Sequence, residues 1–166
     1  KNDGTTGSDA GHVRVHQWSG GSWTQMGAEI DGEAAGDQSS TVALSSDGTI
    51  LAVGAWMNDG TAGSNTGHVR VYQWDPTANS DNGDWDKLGG DIDGEAVEDR
   101  SGYSLSLSSD GTILAIGADE NDGGGAAAGH VRVYRFSSGS WTPMGGDIDG
   151  KVAGEYSGRV SLSSDG

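Results

Sequence analysis

The sequence predicts an all-β chain built from β-propeller blades, and three observations predict it. An internal repeat runs through all 166 residues. Gly-His-Val-Arg-Val starts at Gly11, Gly67 and Gly129, and Ile-Asp-Gly starts at Ile30, Ile92 and Ile148, with spacings of 56 and 62 in both sets. Each repeat divides into four short strand-like runs separated by Gly-rich turns. No window carries a capped helical period of 3.6 residues. Four-stranded antiparallel units of about this length, repeated, are the pattern of propeller blades.

The elements follow in order. The clearest first strand, residues 103–108, alternates with period 2. Asp-Gly follows it and predicts a two-residue hairpin with φ > 0 at both central positions. The second strand, residues 112–118, is apolar on both faces and reads as central in a covered sheet. The third is residues 130–136. The fourth is residues 141–148, where Pro143 lacks an N–H and suits an edge. Small residues in the first two strands allow sheets to approach closely near an axis. The aromatics fall in strands three and four, where the gap widens, so the Trp residues read as packing between blades. The six extra residues of one repeat lie in the run 75–84, whose Asp, Asn and Pro content is that of an exposed loop.

Counting strands gives a partial propeller of about 2.75 blades. Residues 1–37 carry strands three and four of a first blade. Residues 38–99, with the insertion at 75–84, and residues 100–155 are complete blades. Residues 156–166 form the first strand of a next one. The count predicts a piece of a longer propeller, with closure by self-association as the other option.

Composition bounds the reading. Leu, Ile, Val and Phe number 25 of 166, and the net charge is −16. That combination points toward disorder, but six Trp and the strict repetition outweigh it. The charge repels phosphates and anionic membrane surfaces, which excludes nucleic acid as a partner. No apolar run reaches the roughly 18 residues of a membrane span, so no membrane insertion is expected. Cys is absent, which removes disulfides and thiol chemistry.

Three stretches carry a family resemblance. Residues 101–111, 113–118 and 129–134 together resemble an FG-GAP repeat of integrin α-type propellers. Residues 49–55 with 67–72 match as well. Residues 40–42 and 158–160 depart from the pattern. The resemblance implies an extracellular or cell-surface module for adhesion, with calcium in some blades. The family's calcium loop joins the first two strands. Here that place holds one carboxylate per blade, too few for a shell of six to eight oxygens.

Acidic residues gather instead in the loops between strands four and one. The candidate calcium ligands are Asp91, Asp93, Glu95 and Asp99, with equivalents Glu29, Asp31, Glu33, Asp37, Asp147 and Asp149. The loops between strands two and three, starting at Asn2, Asn58 and Asp119, share that rim. They supply candidate binding residues Asp59, Asp119, Glu120 and Asp122. His12, His68 and His130, one per blade, read as hydrogen-bonding to neighbouring blades. Arg14, Arg70 and Arg132 read as pairing with acids between blades. No G-x-S-x-G, H-E-x-x-H or P-loop occurs. The acids recur at equivalent places, whereas a catalytic pair occurs once.

The expected function is therefore a non-catalytic adhesion or assembly module, not an enzyme. It would present acidic loops to a protein partner or to a second copy of itself. Carbohydrate binding through the aromatics, or a structural part in a surface filament, are the other readings.

Overall fold

The computed structural model describes residues 5–166. The turn expected at Asn2–Gly4 lies outside them. The chain forms three antiparallel sheets in sequence, matching the three repeats. The first pairs β1 (His12–Ser19) with β2 (Ser22–Asp31). The second contains β3 (Ser39–Leu44), β4 (Ile50–Ala55), β5 (His68–Asp75), β6 (Asp84–Lys87) and β7 (Ile92–Asp93). Its order is β3-β4-β5-β6, with β7 also on β5. The third repeats this plan with β8 (Ser104–Leu107), β9 (Ile113–Ala118), β10 (His130–Ser137), β11 (Ser140–Pro143) and β12 (Ile148–Asp149). Among the described residues no helix is long and apolar enough to cross a membrane.

Local chemistry explains the repeated words. After β3, the Ser45 hydroxyl donates to Asp47 Oδ1 (2.7 Å) and accepts from the Ile50 amide (2.9 Å). The same oxygen of Asp47 accepts from the Thr49 amide (3.0 Å) and hydroxyl (2.8 Å). Ser108, Asp110, Thr112 and Ile113 repeat the pattern. Only the glycines, Gly48 (φ 73°) and Gly111 (φ 71°), turn left-handed. The two-residue turn with both central φ positive is thus replaced by a loop that the Asp carboxylate closes from inside.

Strand four also differs from expectation. It is two pieces in the second and third sheets, β6 with β7 and β11 with β12. In the first sheet β2 is continuous, but its register shifts between the Val13–Ile30 and Val15–Met26 pairs. In each case the strand bulges at a left-handed glycine: Gly27, Gly89 or Gly145. Residues 156–166 form no strand either. Their backbone runs beside β8, with the Val160 and Leu162 amides donating to Ser104 Oγ (3.2 Å) and Ser106 Oγ (2.9 Å), and backbone bonds from the Ser157 amide to Ala128 O and from the Ser109 amide to Ser164 O at either end. In the run 75–84, residues Ala78–Asp81 make a single turn, left-handed at Asn79 and Ser80.

The sheets stack face to face. β4 is buried along its whole length and β9 nearly so, as their two-sided apolar pattern requires. Ile50, Ala52, Val69, Val71, Ile92, Leu114, Ile116 and Tyr134 fill the space between the second and third sheets. Leu51, Val53 and Trp85 do so between the first and second, with Val13, Val15, Met26 and Ile30 against them. The indole N–H of Trp85 donates to Met26 O (3.0 Å), and that of Trp141 to Leu88 O (2.9 Å). In the second and third units this Trp therefore anchors onto strand four of the unit before it.

Glycine at the Ile-Asp-Gly position is required by close approach. A Cβ on Gly94 would lie 2.7 Å from the Thr66 carbonyl carbon, and one on Gly150 2.8 Å from that of Ala128. These contacts bring each loop between strands four and one against the start of its own unit's strand three, along one rim.

Candidate functional site

Two sets of residues meet on this rim. One repeats from unit to unit and the other does not.

In the repeating set, the third-strand Arg reaches back to the acidic loop of the preceding unit. Arg70 pairs with Glu33, and Arg132 Nη1 lies 3.2 Å from Glu95. His68 Nδ1 is 3.7 Å from the same Glu33. Arg14 pairs within its own unit, with Glu29 (2.6 Å). Lys151 stands where Glu33 and Glu95 stand in the two earlier repeats.

The four expected calcium ligands take separate partners. Asp91 is held by Lys87 (2.5 Å) and Arg70 (3.0 Å), whose charges and hydrogen bonds outweigh its burial and hold its carboxyl below the usual range. Asp93 sits opposite His68 in the β5–β7 register. Glu95 faces Arg132. Asp99 is buried and accepts from the Ala96 amide (2.9 Å) and Asn121 Nδ2 (3.0 Å), locking its loop to the next unit. Asp37 does the same with Ala34 and Asn58. Asp31 accepts from the Thr5 hydroxyl. Among the described residues two groups could hold a metal ion, and each joins a His to two of the expected acidic residues: His12 with Glu29 and Asp31, and His130 with Glu95 and Asp147. Asp149 lies 4.0 Å from His130 Nδ1.

Burial pushes the His68 imidazole below its ordinary pKa of 6.5. Lys87 adds to that, while Asp91, Asp37 and Asp93 oppose it. The unfolded chain then takes a proton near pH 6.5 that the folded chain refuses. Stability from this group is whole above pH 6.5 and falls as pH drops below it, by up to about 1.4 kcal/mol per pH unit. Urea midpoints at pH 7.5 and 5.5 check this: the wild type loses stability on acidification, and His68→Asn loses less.

The non-repeating set lies where the loop between strands two and three leaves its sheet. Asp119 occupies the position of Trp56, Glu120 that of Met57, and Arg100 that of Gln38. Residues 101–108 also hold one residue more than residues 39–45, and the addition brings in Tyr103. Arg100 Nη1 pairs with Glu120 (3.0 Å), and its guanidinium lies 5.5 Å from the Trp56 ring centre. Trp56 and Tyr103 meet edge to face at 6.0 Å, and Arg159 lies 6.0 Å from the Tyr103 ring. Asp119 Oδ1 is shielded from solvent and accepts no hydrogen bond, and Arg100 Nε is likewise shielded without an acceptor. Burial raises the Asp119 carboxyl above its ordinary value. Glu120 adds to the rise, and Arg100 and Arg159 oppose it.

Asp119 and Glu120 were legible as acidic loop residues; Asp59 and Asp122 are turn formers, accepting from the Asn65 (3.0 Å) and Ala127 (2.8 Å) amides. Arg100, Trp56, Tyr103 and Arg159 escaped the sequence reading. The signal that finds them is disagreement between aligned repeats.

No family model matches the chain, and no curated protein does. Two solved structures, each described as a "putative 6-phosphogluconolactonase", are similar to it. That from Bacteroides fragilis is 18% identical at a TM-score of 0.55, covering 86% of this chain and 34% of its own. That from Bacteroides uniformis is 16% identical at 0.57, covering 86% and 36%. A periplasmic gluconolactonase from Pseudomonas aeruginosa is 19% identical over 78% of this chain and 32% of its own, at 0.46. The chain thus spans about a third of the length of these proteins. The likeness corrects three expectations together: the integrin-type FG-GAP resemblance, the adhesion module and the absence of an enzyme. Alternating small-residue strands and Asp-Gly hairpins are demands of stacked antiparallel sheets, and the sheets met here are shared with proteins described as lactonases.

Proposed function

We propose that the chain forms blades of a β-propeller hydrolase acting on lactones of sugar acids, with Asp119 as general base. One observation carries the reading: a carboxylate oxygen shut from solvent and without a hydrogen bond, on a residue acted on by Arg100, Arg159 and Glu120. Burial raises the carboxyl toward the range in which its other oxygen, Oδ2, can take a proton from water. The hydroxide so formed adds to the lactone carbonyl. Arg100 and Arg159 offer positive charge to the oxyanion and to the product carboxylate. The ring C–O bond then breaks, and the proton on Asp119 passes to the leaving alkoxide. Trp56 and Tyr103 form an apolar wall that limits water. The similar structures described as lactonases support the reaction class.

A pH-stat assay of the longest available form of the protein with six-carbon sugar δ-lactones, with and without a 6-phosphate, tests the reading. Acid release above the spontaneous rate is expected. A rate equal to the uncatalysed one on every such lactone overturns it.

A further inference from the structure

We propose that Glu95, His130 and Asp147 bind a zinc ion across the boundary between the second and third units. The ligand atoms of the three residues lie within 4.8 Å of one another. His130 is fixed: it begins β10, is 2% exposed and makes no hydrogen bond among the described residues, its Nδ1 lying 4.0 Å from Asp149 Oδ1. The ring is thus held in place at the mouth of the group, with Asp149 as its near neighbour. Glu95 and Asp147 are exposed, Glu95 also carrying Arg132. Tetrahedral zinc with ligands at about 2.1 Å needs them about 3.4 Å apart. A closure of roughly 1 Å by two surface carboxylates supplies that.

The repeats themselves provide an independent comparison. In the second unit the place facing Asp91, the equivalent of Asp147, is taken by the Lys87 ammonium at 2.5 Å. The third unit has Pro143 at the Lys87 position, and the first has Gln25. Among the described residues a three-ligand group forms in the first and third units and not in the second. The position is thus a seat for positive charge. The second unit fills it with its own side chain, and the third leaves it open beside an imidazole.

The donor set selects the metal. Calcium takes oxygen ligands, six to eight of them. One imidazole nitrogen with two carboxylates suits zinc, and three protein ligands leave a fourth position for water. Arg132 sits on Glu95 Oε1 at 3.2 Å and competes for it. Glu95 Oε2 remains available to the ion.

The test uses the full chain, stripped with chelator and titrated with zinc by calorimetry, with melting followed in parallel. Two variants are read against the wild type: the Glu95→Gln/Asp147→Asn double variant and Pro143→Lys, which installs the ammonium of the second unit. Each is expected to bind one equivalent of zinc fewer than wild type and to lose part of the zinc-dependent rise in melting temperature. Unchanged stoichiometry in the double variant overturns the proposal. So does a wild type that takes up no zinc, or one that calcium stabilises as well as zinc does. The readout is independent of any lactone hydrolysis.

Discussion

Asp119→Asn lowers kcat/KM for lactone hydrolysis by about 10²–10⁴-fold, the range lost when a general base is removed. Asn has the same shape but cannot take a proton. The side chain accepts no hydrogen bond at Oδ1, so the change breaks none there and relieves a desolvated charge. The melting temperature is expected to hold or rise. The acid limb of the wild-type pH–rate profile should lie above the ordinary carboxylate value of 3.8, because burial and Glu120 raise this carboxyl. In the variant that limb disappears from the residual activity. Wild-type rates in Asp119→Asn would remove this residue from the reaction, whatever the fate of the hydrolase reading itself.

The second large effect is on stability and compares two residues at one repeat position. Trp85→Ala costs about 3–5 kcal/mol, the range for truncating a buried aromatic. Trp85 is 8% exposed, packs with Leu51 and Val53, and bonds to Met26 O. Trp23→Ala stays within about 0.5 kcal/mol, as exposed positions do, because Trp23 is 67% exposed and packs against Trp18 alone among the rings. Denaturant midpoints of the two variants decide it. Equal losses would mean that the gap between the first and second sheets is not closed by Trp85.

These contrasts show which parts of the molecule the sequence made legible. Strand positions were, because alternation at 103–108 and the two-sided apolar run at 112–118 are direct images of burial. The break in strand four was not. A bulge at Gly89 or Gly145 leaves the hydrophobic pattern intact and shows only in the hydrogen bonds. The role of the Ser-Ser-Asp-Gly-Thr word was misjudged for a similar reason. Asp-Gly favours a tight turn by itself, but the Ser45 and Thr49 hydroxyls beside it make Asp47 a loop-closing acceptor. Recurring acids drew the site reading toward Asp91 and Asp99, which bond to Lys87, Arg70 and Asn121. Arg100, Trp56 and Tyr103 were hidden because each occurs once in a sequence whose strongest signal is repetition.

Near-identical units raise a problem of order during folding, since any one could dock on any other through the same apolar faces. The reversal from Glu33 and Glu95 to Lys151 bears on that problem. A loop carrying Glu accepts the Arg of the unit that follows. A loop carrying Lys repels it, at a separation where like charges near a protein surface oppose each other by a few kcal/mol before solvent screening. The loops at Glu33 and Glu95 are matched to a following Arg in a way that the Lys151 loop is not. Charge at a single loop position gives otherwise interchangeable modules a reading direction.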